Sequence, residues 1–499
     1  MTQAAVRSDL SEDVEHFDVL IVGAGISGVG AAHHLLEQCP DQTFVVLETK
    51  SSFGGTWLTH RYPGTRSDSD LYTYGYRFKP WTGAPIAAKD EILKYLSEVV
   101  EGEGLDRHIR YQHTVTAAGW SSEERCWTLS VERTDTGEQV RLKAGFLWMC
   151  QGYYRHAQGY TPDWPGLEEF TGRVVHPQSW PDDVDYVDKK VVVIGSGATA
   201  ATLIPAIAPD CAHVTMLQRS PTYYFIRSNT NEVADMLREL DVSEEWVHEI
   251  VRRKILLDFG QITALALQYP ELAREELLKP IREILGDEYD VDAHFSPTYR
   301  PWQQRIAMVP EGDLFEQIRR GRVSVVTGEI ERFDATGVRL TSGEHLEADL
   351  IITATGFSMN VLGDIDVRVD DEPLDFAQTV TYRGLMFTGL PNLLEVFGYF
   401  RASWTLRVDL IGDFCCRLLK HMRARGASVV VPALRPEDAA MALRPWVDPD
   451  DFNPGYLARS VHLLPRQGDR DPWRNGLSYE VEKAALPTAD LDDGTLRFS

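Results

Sequence analysis

Two segments of this sequence share one pattern, which is an apolar strand, a glycine-rich turn and a helix of small residues. The first covers residues 17–36 and the second covers residues 190–207. In such a pattern the glycines permit a tight turn, and the backbone N–H groups that begin the helix face a pyrophosphate. Because about 170 residues separate the two segments, they predict two domains rather than a short repeat. The sequence therefore predicts an α/β fold with two Rossmann-like dinucleotide-binding domains.

The first glycine turn is followed by a strand that ends in an acidic residue. Gly23, Gly25 and Gly28 come directly after an apolar strand, and Glu48 ends the next strand 20 residues after Gly28. A carboxylate at that position accepts hydrogen bonds from a ribose hydroxyl. A plain strand–turn–helix without a ligand is the alternative, which the full context disfavours. We predict that these residues bind FAD.

The second glycine turn is followed by a strand that ends in a basic residue. Gly195, Gly197, Thr199 and Ala200 form the turn and the start of its helix, and the next strand ends at Arg219. A guanidinium suits the 2′-phosphate of NADPH, although a solvated arginine at a strand end is a simpler alternative. One acidic and one basic site on the same chain predict a redox acceptor and an electron donor, with NADPH at the second site.

The rest of the sequence is organised around these two turns. Residues 1–165 are predicted as the first part of the FAD-binding domain, and residues 166–348 as the NADPH-binding domain. Residues 349–499 are predicted to return to the FAD-binding domain and to end in an extended tail. Within the second segment, helical periodicity with many Glu and Arg residues at about 229–290 predicts a helical insertion, a solvated cover rather than a membrane-surface element. A shorter helix is expected near residues 89–102.

Composition excludes several classes of function. The net charge of −25 argues against a nucleic-acid partner and against an anionic membrane surface. The first 17 residues lack the apolar core of a secretory signal, and the apolar stretches are of strand length, so no transmembrane segment is expected. The six cysteines form no CxxC pair and no metal-ligand spacing. A disulfide reductase and a metal site are therefore not expected, and the reducing cytoplasm is the predicted location.

Two further motifs carry a resemblance to a known family. The first lies just before the second Rossmann strand and consists of Phe170, Gly172, His176, Trp180 and Pro181. The second lies after the first Rossmann unit and consists of Gly55, Trp57, Tyr62, Pro63, Gly64 and Asp68. Together with runs such as IGSGATAATLIPA and FRASWTL, they make nearly the whole chain similar to class B flavoprotein monooxygenases of the Baeyer–Villiger family. The likeness is greatest to the ethionamide-activating branch.

The resemblance implies an FAD- and NADPH-dependent enzyme that transfers one oxygen atom from O₂ to a small organic substrate. Such enzymes convert ketones to esters or lactones through a C4a-peroxyflavin, and the same chemistry can oxidise thioethers or thioamides. The family's catalytic arginine corresponds to Arg305, a fixed cation that stabilises developing negative charge. The acid that pairs with it corresponds to Asp68. An ordinary surface arginine and a turn cap are the simpler alternatives. Many relatives have lysine where this chain has Gln304, which weakens any nicotinamide contact inferred for that position.

Further site residues follow from the same resemblance. His176 is implied as a catalytic residue that acts as a hinge or scaffold between domains rather than as a proton-transfer base, with a solitary, hydrogen-bonded histidine as the alternative. Trp57 and Tyr62 are implied as walls of the flavin site, although core aromatics would look the same in sequence. Ser403 is expected to cap a helix that begins with Trp404 and points its positive end at the flavin.

Two other functions remain open at this point. A flavin monooxygenase restricted to nitrogen or sulfur oxidation would share both Rossmann units, but the Trp180-Pro181 pair and Arg305 count against it. A nucleotide-binding sensor that has lost catalysis would also keep the fold. The sequence identifies neither the physiological substrate nor the oligomeric state.

Overall fold

A computed structural model describes residues 14–476 and 478–499 of the chain. Most of the polar amino-terminal segment, for which the sequence predicts no secretory signal, precedes residue 14 and lies outside the described residues. A search of the helices within the described ranges finds none with an apolar run long enough to span a bilayer.

The elements fall into three consecutive groups. The first group is β1 (Glu15–Val22), α1 (Ile26–Gln38), β2 (Phe44–Leu47), α2 (Thr56–Thr59), α3 (Leu71–Tyr74), α4 (Lys89–Gly102), β3 (Ile109–Arg110), β4 (His113–Ser121), β5 (Cys126–Arg133), β6 (Gln139–Met149) and β7 (Tyr154–Gly159). The second group is β8 (Arg173–Val175), β9 (Lys190–Ile194), α5 (Ala198–Ile207), β10 (His213–Gln218), β11 (Tyr224–Arg227), α6 (Glu232–Glu239), α7 (Glu244–Gln268), α8 (Pro270–Leu285), α9 (Val291–Phe295), β12 (Ala307–Pro310), α10 (Asp313–Arg319), β13 (Val323–Thr327), β14 (Ile330–Asp334), β15 (Gly337–Leu340), β16 (His345–Glu347) and β17 (Leu350–Thr353). The third group is β18 (Phe357–Met359), β19 (Asp366–Val369), β20 (Glu372–Pro373), β21 (Thr381–Tyr382), β22 (Met386–Phe387), β23 (Leu393–Glu395), α11 (Trp404–Arg425), β24 (Val430–Pro432), β25 (Arg444–Pro445), α12 (Gly455–Ser460), β26 (Arg466–Gln467), α13 (Tyr479–Ala485) and β27 (Leu496–Phe498).

The first glycine turn follows β1, which lies inside the larger sheet. Among the described residues this sheet runs in the order β20-β19-β4-β5-β6-β1-β2-β3, and β23 also pairs with β6. β1 is parallel to both β2 and β6, whereas β4, β5 and β6 form an antiparallel meander. The last four residues of β1 are all buried, as expected for a parallel strand that is covered on both faces.

The second glycine turn follows β9, in the middle of a parallel sheet with the order β13-β10-β9-β17-β8 in the described chain. The two sheets confirm the predicted α/β fold with two Rossmann-like units. The sequence groups residues 349–499 with the first domain, but β17 pairs with β8 and β9. The second sheet therefore extends to Thr353, because this buried apolar strand completes it before the chain returns.

The segment predicted as a helical insertion contains α6, α7 and α8, with α9 just after it. Val247 and Val251 of α7 belong to the hydrophobic core under the first sheet. Leu278 and Ile281 of α8 belong to the core under the second sheet. This helical segment therefore packs against the cores under both sheets.

The carboxy-terminal part begins with α11, which packs against α1. Ser403 occupies the N-cap position as predicted, but its side chain does not cap the helix. Its hydroxyl instead pairs with the hydroxyl of Thr73 at 2.8 Å. The last 50 residues are not simply an extended tail, because they include α12 and α13, and β27 pairs with β24.

Candidate active site

A cavity of about 720 Å³ lies between the two glycine turns. The first turn contributes Gly23 and Gly25 to its wall, and the second contributes Gly197 and Thr199. Other parts of the chain contribute predicted site residues to the same wall, namely Glu48, Trp57, Tyr62, Asp68, Arg305 and Trp404. The fold thus brings most of the predicted site residues around one space.

The first turn has the shape that a dinucleotide requires. Gly23 has a φ of +98°, and a Cβ there would lie 2.8 Å from the carbonyl oxygen of Cys150. The Glu48 carboxylate accepts the Ala24 N–H at 2.7 Å and the Lys50 N–H at 2.9 Å, so it holds the turn against the end of β2. Burial raises the pKa of Glu48. These residues fit FAD at the first turn.

The second turn is open towards the cavity. A Cβ added at Gly197 would meet no atom within 4 Å, so the backbone there is accessible to a ligand. Gly195 donates its N–H to the Leu217 carbonyl at 2.8 Å, which fixes the turn beside the end of β10. Arg219 follows β10 as an exposed residue outside the cavity wall. The open backbone at Gly197 fits a dinucleotide at the second turn.

Besides Arg219, three predicted cofactor-binding residues do not reach the cavity. A Cβ at Gly28 would lie 1.8 Å from the Gly23 carbonyl oxygen, and one at Gly195 would lie 2.3 Å from the Ala354 carbonyl oxygen. Ala200 is fully buried. These small residues let the helix and the neighbouring backbone approach closely, so they shape the turns without touching the cavity.

Arg305 and Asp68 form a two-point ion pair at the cavity wall. Arg305 donates from Nε to Asp68 Oδ2 at 2.7 Å and from Nη2 to Asp68 Oδ1 at 2.8 Å. The Arg305 side chain is 36% exposed, because it faces cavity space. The Asp68 charge raises the pKa of Arg305, so the guanidinium remains cationic and has a fixed orientation.

Two tyrosines that the sequence analysis did not single out, Tyr153 and Tyr154, lie beside this pair. The Tyr153 and Tyr154 hydroxyls are hydrogen-bonded to each other, and burial raises the pKa of both. The Tyr153 ring stacks on Trp404 with a centroid distance of 5.2 Å. Trp404 donates its indole N–H to the Ser27 hydroxyl at 2.8 Å, so it ties α11 to α1. The aromatic pair just after Gly152 in the sequence was the available signal for these tyrosines.

Comparison with known proteins places this arrangement in a family. A family model described as pyridine nucleotide-disulphide oxidoreductase matches residues 17–254. The FAD-containing monooxygenase EthA of Mycolicibacterium smegmatis is 45% identical over 487 residues, which are 97% of this chain and 97% of that protein. EthA of Mycobacterium tuberculosis is also 45% identical, over 97% of this chain and 98% of that protein. This chain belongs to the FAD-containing monooxygenases.

The solved structures agree with this membership and confirm the resemblance inferred from the motifs. An oxidised steroid monooxygenase bound to NADP is 25% identical, with a TM-score of 0.74, over 97% of this chain and 99% of that one.

In this FAD-containing monooxygenase, His176 lies outside the cavity wall. Its Nδ1 accepts the Gln178 N–H at 3.1 Å, so Nε2 carries the proton and donates to the Gly356 carbonyl at 3.2 Å. Burial lowers the pKa of His176, which keeps the ring neutral. The contact joins the end of β8 to the segment after β17, where the chain leaves the second sheet.

The loop that carries Arg305 in this monooxygenase is held by a carboxylate that the sequence did not reveal. Asp451 accepts from Arg300 Nη2 at 3.0 Å and from Arg401 Nη1 at 2.9 Å. Arg401 also donates to the carbonyl of Trp302 at 3.1 Å. These contacts fix the residues just before Arg305, and no sequence signal links positions so far apart.

Proposed function

We propose that this monooxygenase uses FAD, NADPH and O₂ to convert small organic ketones to esters or lactones, and that it also oxidises sulfur in thioethers or thioamides. The observation that carries the proposal is the Arg305–Asp68 pair on the wall of a cavity that both glycine turns also line. A fixed cation there serves a reaction in which negative charge develops on oxygen. The steroid monooxygenase bound to NADP, with the same fold over nearly the whole chain, supports this assignment.

The two cofactors would be held by different parts of the wall. Gly23, Gly25 and Glu48 would hold FAD, with Trp57 and Trp404 beside its ring. Gly197, Thr199 and Arg219 would hold NADPH. When bound, NADPH supplies a hydride to FAD, and the reduced flavin activates O₂. The free 2′-phosphate of NADPH would meet the exposed guanidinium of Arg219.

The residues of the chain orient and stabilise the reacting groups. Asp68 holds the Arg305 guanidinium in one plane, so the cation is already in place when charge develops on the substrate oxygen. The amino-terminal end of α11, at Trp404, faces the same cavity and adds a partial positive charge. Neutral His176 joins two chain segments and has no proton-transfer role.

A panel of substrates tests the proposal. The FAD-loaded enzyme is mixed with NADPH and either cyclohexanone, 2-butanone or thioanisole, and NADPH consumption and product masses are recorded under ¹⁸O₂. Lactone or ester carrying one ¹⁸O atom is the expected result. Sulfoxide without any ester would instead indicate an enzyme restricted to heteroatoms. No substrate-dependent NADPH consumption would indicate a nucleotide-binding sensor and contradict the proposal.

The cytoplasm is the location that we propose, in line with six cysteines that are all free thiols. Fractionation of cells that express the protein, with the enzyme recovered in the cytoplasmic fraction, is the corresponding test.

A further inference from the structure

A second cavity, of about 680 Å³, opens on the other side of the Arg305–Asp68 pair. Asp68, Ser69, Arg305 and Ala402 belong to the walls of both cavities. The second cavity therefore begins at the cation to which the proposed function assigns the chemistry. We call it the insertion groove, because α7 and α8 of the helical insertion form much of its wall.

The wall of the insertion groove is mainly apolar. From α7 it receives Ile255, Phe259 and Ala266, and from α8 it receives Ala273 and Leu277. Trp302 packs edge-on against Phe259, with a centroid distance of 5.4 Å. A wall of this kind favours an apolar ligand, since burial of apolar surface is the main attraction that it offers.

The groove is long in one direction. Side chains of α7 line it from Val251 to Ala266, and each residue of a helix adds about 1.5 Å along the helix axis. The part of α7 that lines the groove is therefore about 22 Å long. A ligand that fills this space is therefore elongated.

All the charged side chains in the wall except Glu276 form ion pairs. Besides Arg305 with Asp68, the pairs are Arg227 with Asp70, Lys254 with Asp258, and Arg401 with Asp451. Glu276, at the outer end, is the additional charge in the wall. The groove therefore offers no unmatched cation to an anionic ligand, and its charge pattern suits a neutral one.

The outer end of the groove reaches the surface between α7 and α8. Leu265, Tyr269 and Leu272 line it there and are 54%, 51% and 61% exposed. Exposed apolar residues at the mouth of an apolar cavity provide an entrance for a poorly soluble molecule.

We propose that the insertion groove binds the body of a neutral, elongated, apolar substrate that enters between α7 and α8 and places its ketone or sulfur at Arg305. This inference rests on the proposed function and adds the substrate class to it. Each buried methylene then improves kcat/KM by about fourfold.

The test compares 2-nonanone with 2-butanone on the FAD-loaded enzyme with NADPH. We expect kcat/KM for 2-nonanone to be roughly a hundredfold higher, since most of its five additional methylenes are buried. Ala273→Trp fills the groove from α8 and should lower this ratio at least about tenfold. Ala264→Trp is the matched control, because Ala264 is exposed on α7 and lies outside the groove wall. It should keep the wild-type ratio.

The outcomes separate this inference from the proposed function. Ester from both ketones at similar kcat/KM, or an equal ratio in the two tryptophan variants, would overturn the groove assignment and leave the proposed function standing. If neither ketone is converted, the Kd of 2-nonanone is measured by calorimetry. Binding that Ala273→Trp weakens at least fivefold would support the groove assignment, and the absence of binding would overturn it. A stronger response to 8-oxononanoate than to 2-nonanone would overturn the assignment to a neutral ligand.

Discussion

Among single residues, Arg305 has the position that most restricts the chemistry, because it lies between the two cavities and has a fixed carboxylate partner. Arg305→Ala should keep bound FAD and consume NADPH, but its electrons should appear as hydrogen peroxide instead of ester. Arg305→Lys should rescue poorly, since an ammonium cannot make the two parallel hydrogen bonds to Asp68. The measurement is ester formed and peroxide released per NADPH consumed, with 2-nonanone or cyclohexanone as substrate.

The control for this experiment is Arg320→Ala, which removes an exposed arginine just after α10 and should behave as the wild type. Good ester yield from Arg305→Ala would show that another cation performs this role. Arg66, which lines the first cavity and pairs with Asp313 at 2.6 Å, would then be the next arginine to test.

Arg219 should determine the choice between the two nicotinamide cofactors. A charge-assisted contact to phosphate contributes about 1.5–3 kcal/mol, so Arg219→Ala should lose roughly ten- to a hundredfold in NADPH affinity. Its weak use of NADH should barely change. The measurement is the Kd of each cofactor, with the exposed Arg322→Ala as control. An equal loss for NADPH and NADH would contradict the phosphate role.

Glu395 should make the stability of the fold depend on pH. Burial raises the pKa of Glu395 to about 7. Between about pH 4.5 and 7 the unfolded chain has lost this proton while the folded chain retains it, so the free energy of unfolding falls as the pH rises through this window. Glu395→Gln should therefore be more stable than the wild type at pH 8, by on the order of 3 kcal/mol, and similar at pH 4.5.

Urea unfolding of both proteins at pH 4.5 and pH 8 is the measurement for Glu395. The Gln151 side chain donates to Glu395 Oε1 at 3.0 Å, and glutamine retains an oxygen for that bond. Glu123→Gln, at an exposed position, should show the same difference from wild type at both pH values. A Glu395→Gln difference that does not change with pH would contradict the assignment.

Among the secondary-structure elements, the junction of β1 and α1 should decide whether the protein binds flavin. Gly25 faces the cavity, and a Cβ there would lie 3.5 Å from the Cα of Gly55. Gly25→Val adds two further methyl groups to this space, so the purified protein should be colourless. Gly119→Val is the control, because a Cβ at Gly119 would meet nothing within 4 Å. Flavin content is measured from the visible absorbance, and full occupancy in Gly25→Val would show that the first turn does not hold FAD.

In the complete fold, the buried side chain of Arg252 joins α7 to the segment around α3 in the first part of the chain. Arg252 Nη1 donates to the carbonyls of Tyr72, Thr73 and Gly75 at 2.9, 3.2 and 3.0 Å. Arg252→Met would leave these carbonyls without this donor, so we expect a loss of about 2–4 kcal/mol in the free energy of unfolding. The neighbouring Arg253→Met is the control, since Arg253 is 77% exposed and pairs within its own helix. Equal urea midpoints for the two variants would show that Arg252 does not join the segments.

Much of the local structure was predictable from short stretches of sequence. The two glycine turns, the helix Lys89–Gly102 and the helical insertion are found where the patterns predicted them. These features depend on contacts within a few residues, where backbone sterics and hydrophobic periodicity act directly. The family motifs added Arg305 and Asp68, which the fold brings into contact across 237 residues of sequence.

The sequence by itself therefore determined the fold class, the two glycine turns and the family, because each has a local signature. Tertiary structure alone decided that Asp451 holds the loop before Arg305, that Tyr153 and Tyr154 lie beside the cation and that the insertion forms a groove. The tertiary structure also shows that β17 belongs to the second sheet. It brings the Ser403 hydroxyl into a hydrogen bond with the hydroxyl of Thr73, 330 residues away. Such contacts depend on how distant segments pack, and side-chain packing leaves no periodic trace in the sequence.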